Sequence, residues 1–443
     1  MIVGRDIKPT GELLLKGAIA SLLAHGVKNV ENLGITSLPA MEWAVNHFRA
    51  SGGIFITASH NPMEWNGIKF ISSFQDGGSL LPASAMEKIK DGWRSEVNKI
   101  KKREINLPEL PEEVPFVEDY IKDVIDKIKK TIDLCADEES KGDEIFTKIK
   151  ERQMRIALDA CSGDGLEIPK NFLLQMGIDE KNIYPVNNGT LSECRRRFEP
   201  TPNYLTGLKE IIEQYNLDIG FAFDPDQDRL VVMPLRNEEL TLIIAGRFLL
   251  ELQNPSAKKY INAVAINLST SSLWDELAEK YGIQIIRTRV GEMNVIEAME
   301  EYNLPFGGEG NGGVILREVN PGRNSTVGMG LILAYMAWRD CSLKELEAEL
   351  TDYVIVKEKI EVLFSRHKIQ ELLGERIEKF KERNREKVKS IDTRDGYKII
   401  LHDNSWIHIR PSNTEPIIRL ITESTDEERA RQLAEDFKII LQD

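Results

Sequence analysis

Short apolar runs alternate along most of this chain with stretches whose apolar residues recur every three or four positions. The runs are Ile2-Val3-Gly4, Gly52-Gly53-Ile54-Phe55-Ile56, Arg155 to Ala160, Asp218 to Phe223 and Ala263 to Asn267. Each is short and closed by turn-forming residues, which predicts buried strands of parallel sheets. Between them, Gly11 to Gly26 sets Leu15, Ile19, Leu22 and Leu23 on one helical face with Gly26 as C-cap, and Pro39 opens a helix over Ala40 to Phe48. A longer helix is predicted from Val117 to Ile132. Strand and helix in alternation make α/β wiring.

The cycle starts again at Arg155 and once more at Ala263, so three similar mixed α/β units are expected, over 1–150, 151–253 and 254–354. The first closes on a proline-containing, charged stretch, in which Ala136 to Asp143 reads as an exposed insertion near a boundary. From about Ile355 the pattern changes to two charged helical stretches, strands at Lys398 to His402 and Trp406 to Arg410, and a terminal helix from Asp426 to Leu441. That order predicts a smaller α+β domain over 355–443.

At about 150 residues per domain, a chain of 443 residues suits three or so domains. No apolar run is long enough to span a bilayer, and Met1-Ile2-Val3-Gly4 lacks the features of a signal peptide, so the expected setting is cytoplasmic, without a membrane partner. A net charge of −14, from 58 basic and 72 acidic residues, disfavours nucleic acid as a partner. An anionic small molecule would need local basic pockets, for which Arg195-Arg196-Arg197, Arg287 with Arg289, and Arg410 with Arg419 are candidates. Cys135, Cys161, Cys194 and Cys341 show no ligand or redox spacing and read as buried thiols.

Four segments carry chemistry. The strand ending at Ile56 empties into Thr57-Ala58-Ser59-His60-Asn61-Pro62, a turn that holds the Ser59 hydroxyl on a rigid scaffold with backbone N–H groups nearby. Phe223-Asp224-Pro225-Asp226-Gln227-Asp228-Arg229 places three carboxylates at alternate positions after a buried strand, the donor set of a hard cation such as Mg²⁺. An EF-hand would need Gly and Glu where Arg229 and Leu235 stand, so that reading fails. Gly307 to Gly313 contains G-x-G-x-x-G, but the strand Val314-Ile315-Leu316 follows where a dinucleotide fingerprint requires a helix. Glu309 and Asn311 in that loop suit adjacent sugar hydroxyls instead. Arg410-Pro411-Ser412-Asn413-Thr414-Glu415-Pro416, with Arg419 beyond, joins a guanidinium, hydroxyls and an amide in one turn, which is phosphate-binding chemistry.

In this order, with Val3-Gly4-Arg5-Asp6 before them, the segments resemble the α-D-phosphohexomutase family over nearly the whole chain. The resemblance implies three similar mixed α/β domains and a smaller α+β domain around a central cleft. It also implies interconversion of the 1- and 6-phosphates of glucosamine, mannose or glucose through a phosphoserine at Ser59 and a bisphosphate intermediate. Asp224, Asp226 and Asp228 would hold Mg²⁺ with a phosphoserine oxygen, Glu309 and Asn311 would touch the sugar, and Arg410, Ser412, Asn413, Thr414 and Arg419 would grip the phosphate. Lys69 is similar to the family's general acid/base, Arg229 would add positive charge at the transferring group, and His60 would orient the serine loop. A hexose 1,6-bisphosphate is the implied activator. The alternative within the same resemblance is a catalytically impaired homologue that binds sugar phosphates. Against the usual family pattern, a strand and an arginine-containing glycine loop before Val3 are expected to be missing. Lys8 stands where Arg is common, Gly313 where many members have His, and Asn324 where Asp is usual.

Overall fold

The computed structural model describes residues 1–442 apart from 74–77, 98–108, 255–258, 362–365 and 413–416. Three of its four sheets repeat one design. In the first, β1 (Ile2–Arg5) lies between β2 (Glu31–Ile35) and β3 (Gly53–Ile56), parallel to both, and β4 (Ile68–Ile71) returns antiparallel along β3. The order recurs with β5 (Ile156–Asp159), β6 (Ile183–Val186), β7 (Ile219–Phe223) and β8 (Leu230–Met233), and with β9 (Ala263–Asn267), β10 (Gln284–Thr288), β11 (Phe306–Glu309) and β12 (Gly313–Leu316). In all three, the third strand turns directly into an antiparallel fourth. The turns 57–67, 224–229 and 310–312 are therefore topologically equivalent.

The helices between these sheets form one continuous core. Val117–Ala136 is amphipathic, burying Tyr120, Ile121, Val124, Ile125, Ile128 and Ile132. Ser325–Arg339 is apolar almost all round and is buried against it and against Lys141–Arg152 and Glu239–Leu252. Asn324 caps that helix by accepting from Thr326 N and Val327 N, while its amide donates to Asn320 Oδ1 at 2.8 Å. An aspartate there would cap equally well but could not make the second bond.

The C-terminal sheet is built differently. Its strands β13 (Val354–Glu361), β14 (Val388–Asp392), β15 (Tyr397–Leu401), β16 (Trp406–Pro411) and β17 (Ile417–Ser424) lie antiparallel in the order β13-β17-β16-β15-β14. Helices Arg366–Arg383 and Glu427–Gln442 cover it around a separate core that includes Leu373, Ile399, Ile409, Leu420 and Phe437.

Three expectations need correction. The first charged stretch after Ile355 is not helical but the edge strand β13, in which half-buried and exposed positions alternate at strand period from Val356 to Glu361. Leu23 is exposed although Leu15 and Ile19 are buried, because the helix Gly11–Ala24 rests on β1 and β3 along a narrower face. Cys194 and Cys341 are only half-buried. Among the described residues, no helix is long and apolar enough to cross a membrane.

Candidate active site

The turn after β3 is fixed by its first residue. Thr57 N bonds to the Gly67 carbonyl at 3.0 Å, and the Thr57 hydroxyl accepts from Ser59 N at 2.8 Å while donating to the buried Asp6 carboxylate at 2.6 Å. These bonds hold Ser59 at a φ of 49°, in the left-handed region that non-glycine residues occupy only under local constraint. The Ser59 hydroxyl consequently reaches Asp224 Oδ2, in the second sheet's unit, at 3.0 Å. His60 Nδ1 lies 3.3 Å from the Ser59 hydroxyl oxygen. Burial and the neighbouring Arg229 charge push His60 down to about 3, so its ring is neutral near pH 7.

The turn after β7 is held from three sides. Leu38 N donates to the Asp226 carbonyl at 2.9 Å, the Gln227 amide to the Gly165 carbonyl at 2.6 Å, and the Ser325 hydroxyl to the Gln227 carbonyl at 2.6 Å. Asp224, Asp226 and Asp228 are fully buried, with ligand oxygens all within 4.8 Å of one another. Asp226 Oδ1 and Asp228 Oδ1 have no hydrogen-bond partner. Buried carboxylates this close repel strongly, and orphaned oxygens add to the cost. The arrangement is an oxygen-only donor set that one small hard cation would satisfy.

Protein cations offset part of this charge. Lys69 Nζ, on β4, sits 2.7 Å from Asp226 and 3.6 Å from Asp228. Against burial, these two carboxylates hold Lys69 above its ordinary value, and Lys69 holds Asp226 below the usual carboxylate range. Burial, then repulsion from Asp226 and Asp228, drives Asp224 well up. Arg229 lies 3.9 Å from Asp228 and 3.3 Å from Glu199. Lys8 is fully buried with no hydrogen-bond partner for its ammonium, which burial lowers against the pull of Asp6, Asp226 and Asp224.

The glycines of the third turn serve close packing. A Cβ at Gly310 would land on the Glu239 carboxylate, and Gly312, at a φ of 85°, brings its carbonyl 3.0 Å from Leu230 N at the start of β8. This contact docks the third turn on the second. Glu309 accepts from the Asn267 amide and Gly291 N, both at 2.9 Å, and pairs with Arg323 at 3.1 Å. Arg323 reaches Asp228 at 2.6 Å and Asn311 at 3.4 Å with the same guanidinium. Its path explains Gly313, since a Cβ there would strike the Arg323 side chain.

Arg410 and Arg419 face each other across β16 and β17, with Arg410 Nε 3.8 Å from Asp395. Ser412 N bonds to the Ile417 carbonyl at 2.8 Å. Asn413 and Thr414 lie outside the described residues. Against burial, the Arg229, Lys359 and Arg419 charges hold Glu199 low, so the C-terminal sheet presents positive charge toward the serine turn.

The structure thus gathers Ser59, His60, Lys69, Asp224, Asp226, Asp228 and Arg229 at one point, and Arg323 links them to Glu309 and Asn311. In two of the basic clusters proposed from sequence, three of the arginines are committed to structural contacts. Arg196 is buried on Asp159 and the Phe223 carbonyl, Arg197 stacks on Tyr204, and Arg287 binds Asp275 and the Thr270 carbonyl. Glu199 gave no signal in the sequence, and Thr57 and Asp6 lay inside noted segments without their roles being readable. Arg323 stood beside a noted departure without its role being readable.

Family models match the whole architecture: phosphoglucomutase/phosphomannomutase alpha/beta/alpha domain I over residues 1–99, domain II over 138–236, domain III over 237–353, and the C-terminal domain over 354–440. The chain belongs to the phosphoglucomutase/phosphomannomutase family. It is 33% identical to the phosphoglucomutase/phosphomannomutase of Thermococcus kodakarensis, over 98% of this chain and 88% of that protein. It is 31% identical to the phosphoglucosamine/phosphogalactosamine mutase of Sulfurisphaera tokodaii, over 100% of this chain and 91% of that one. The fold is shared with a phosphoglucomutase/phosphomannomutase family protein from Burkholderia thailandensis, with a TM-score of 0.74 at 18% identity over 99% and 88% of the two chains. It is shared more distantly with N-acetylphosphoglucosamine mutase of Aspergillus fumigatus in complex with GlcNAc-6P and magnesium, with a TM-score of 0.59 at 14% identity over 100% and 82%.

Proposed function

We infer that this phosphohexomutase interconverts the 1- and 6-phosphates of a hexose or hexosamine through phospho-Ser59. The observation that carries the reading is the Ser59 hydroxyl 3.0 Å from Asp224, at the lip of a buried carboxylate triad paired with Lys69. In this reading Asp224, Asp226 and Asp228, with a phosphoserine oxygen, hold Mg²⁺, which when bound neutralises charge on the transferring phosphoryl group. The Ser59 Oγ–P bond breaks as a bond forms to the free sugar hydroxyl. Lys69, kept cationic by its carboxylates, delivers a proton to the departing serine oxygen and is recharged by the sugar hydroxyl's proton. Lys69 is protonated at neutral pH and so has a proton to give, although the carboxylates that raise its proton affinity oppose the proton's release; a loose phosphoryl transfer needs little base assistance. Neutral His60 orients Ser59, and Arg229 adds positive charge.

The resulting bisphosphate reorients and returns its other phosphoryl group to Ser59, so a hexose 1,6-bisphosphate loads the resting enzyme. Glu309 and Asn311 contact sugar hydroxyls, and Arg410, Ser412, Asn413, Thr414 and Arg419 hold whichever phosphate is not transferring. Coupled assays with the 1- and 6-phosphates of glucose, mannose, glucosamine and galactosamine test the proposal. Turnover of at least one pair, dependent on Mg²⁺, is expected; no turnover of any would overturn it.

A further inference from the structure

The cysteines show no redox spacing along the chain, yet the fold brings two of them together. Cys161 follows β5 at a φ of 66°, fully buried, and its thiol donates to the Phe223 carbonyl at 3.4 Å. Cys194, half-buried, packs against the cluster that holds Cys161, near enough for the two thiols to interact. They share a small apolar cluster with Ile7 and Leu191. Arg196 frames the pair: its guanidinium holds Asp159 at 2.8 Å and the Phe223 carbonyl at 2.6 Å, and its own carbonyl lies 3.7 Å from Cys194 Sγ. A reachable thiol beside a cation, touching a sealed one, is the arrangement of an attacking and a resolving cysteine. Contact with the Cys161 thiol, opposed by burial and aided by Arg196, brings Cys194 down to about 7, whereas burial drives Cys161 well up.

We propose that Cys161 and Cys194 form a redox modification site that a peroxide closes to an intramolecular disulfide. The Cys194 thiolate attacks one peroxide oxygen, breaking the O–O bond and giving a sulfenic acid, with the other oxygen leaving as water after protonation. The Cys161 sulfur then displaces the sulfenic oxygen, which leaves as water with the Cys161 proton, and the S–S bond forms. In sum, a pair of thiols and one hydrogen peroxide give a disulfide and water, the electron pair passing from sulfur to oxygen. Closure withdraws the Cys161 S–H from the Phe223 carbonyl, directly before Asp224. That coupling rests on the metal reading of Asp224, Asp226 and Asp228; the disulfide does not.

The full-length chain carrying Cys135→Ser and Cys341→Ser leaves only this pair. After hydrogen peroxide it is expected to lose both titratable thiols and about 2 mass units, reversibly with dithiothreitol, and an added Cys194→Ser should prevent the change. Should that variant fold poorly, peptide mapping of the unsubstituted protein reads the same crosslink. Thiols that persist, a sulfinic acid without a crosslink, or a bond to a second chain would each overturn the site. Calorimetric Mg²⁺ titration should show severalfold weaker binding to the oxidised form; equal affinity would overturn the coupling. Absence of Mg²⁺ binding in the reduced form would instead overturn the metal reading.

Discussion

Between β7 and β8 the chain buries three carboxylates completely and ties their turn to its own unit and to both neighbouring ones, whereas on β16 and β17 it sets Arg410 and Arg419 on a sheet with its own core. The first arrangement fixes charge in place, where reorganisation during phosphoryl transfer would be costly. The second presents charge from a separately packed body, as suits a group that must release and regrip a turning intermediate. The boundary of that separate body with the third sheet's unit is polar. Lys398, His408 and Glu423 are buried against the 268–272 loop, with Lys398 donating to the Leu268 carbonyl at 2.7 Å and Glu423 accepting from Ser272 N at 2.9 Å.

The contrast can be broken most sharply at Ser59. Ser59→Ala should lower mutase kcat by on the order of 10⁴-fold or more in a coupled assay, because no other hydroxyl among the described residues is aimed at Asp224 in this way. Arg323→Met should cost about 3–5 kcal/mol in chemical denaturation, since it leaves Asp228, Glu292 and Glu309 without their shared cation. Asp226→Asn should lower kcat roughly 10²–10³-fold, with part of the loss recovered at higher Mg²⁺.

A pH profile probes the boundary. His408 Nε2 lies 2.7 Å from the Asp395 carbonyl, which can only accept, so Nδ1, at 2.8 Å, accepts from the Ser269 hydroxyl. Burial holds this neutral ring down to about 4, against 6.5 when exposed. Between those values the unfolded chain binds the extra proton, so stability should fall as pH drops through that window, by at most about 3 kcal/mol. His408→Gln should flatten the thermal-denaturation profile there. Smallest is Arg410→Ala, expected to raise KM about 10-fold while changing kcat less, because one charge-assisted contact to a nontransferring phosphate is lost. An equal fall in kcat with unchanged KM would place Arg410 with the fixed charges.

Much of the fixed region was legible in the sequence. Its strands are short, apolar and closed by turn residues, and Ser59, Asp224, Asp226, Asp228 and Arg229 lie in the turns themselves. What escaped depends on contacts between distant segments. Arg323 gains meaning only when β11 and β12 dock on β8, and Glu199 only when its loop reaches His60 and Arg229. Arg195-Arg196-Arg197 misled because charge along the chain does not say which guanidinium is buried on Asp159. In the C-terminal domain, the alternation in β13 was masked because Lys357, Glu358 and Lys359 are consecutive and place charge on both faces of an edge strand.

The central claim is that Ser59 carries the phosphoryl group, and intact-mass spectrometry tests it most directly. Incubation with glucose 1,6-bisphosphate and Mg²⁺ should add one phosphate, about 80 mass units, at Ser59. Excess hexose monophosphate should then remove it, and Ser59→Ala should never acquire it. A phosphate that forms elsewhere, or one at Ser59 that no hexose phosphate discharges, would contradict the account.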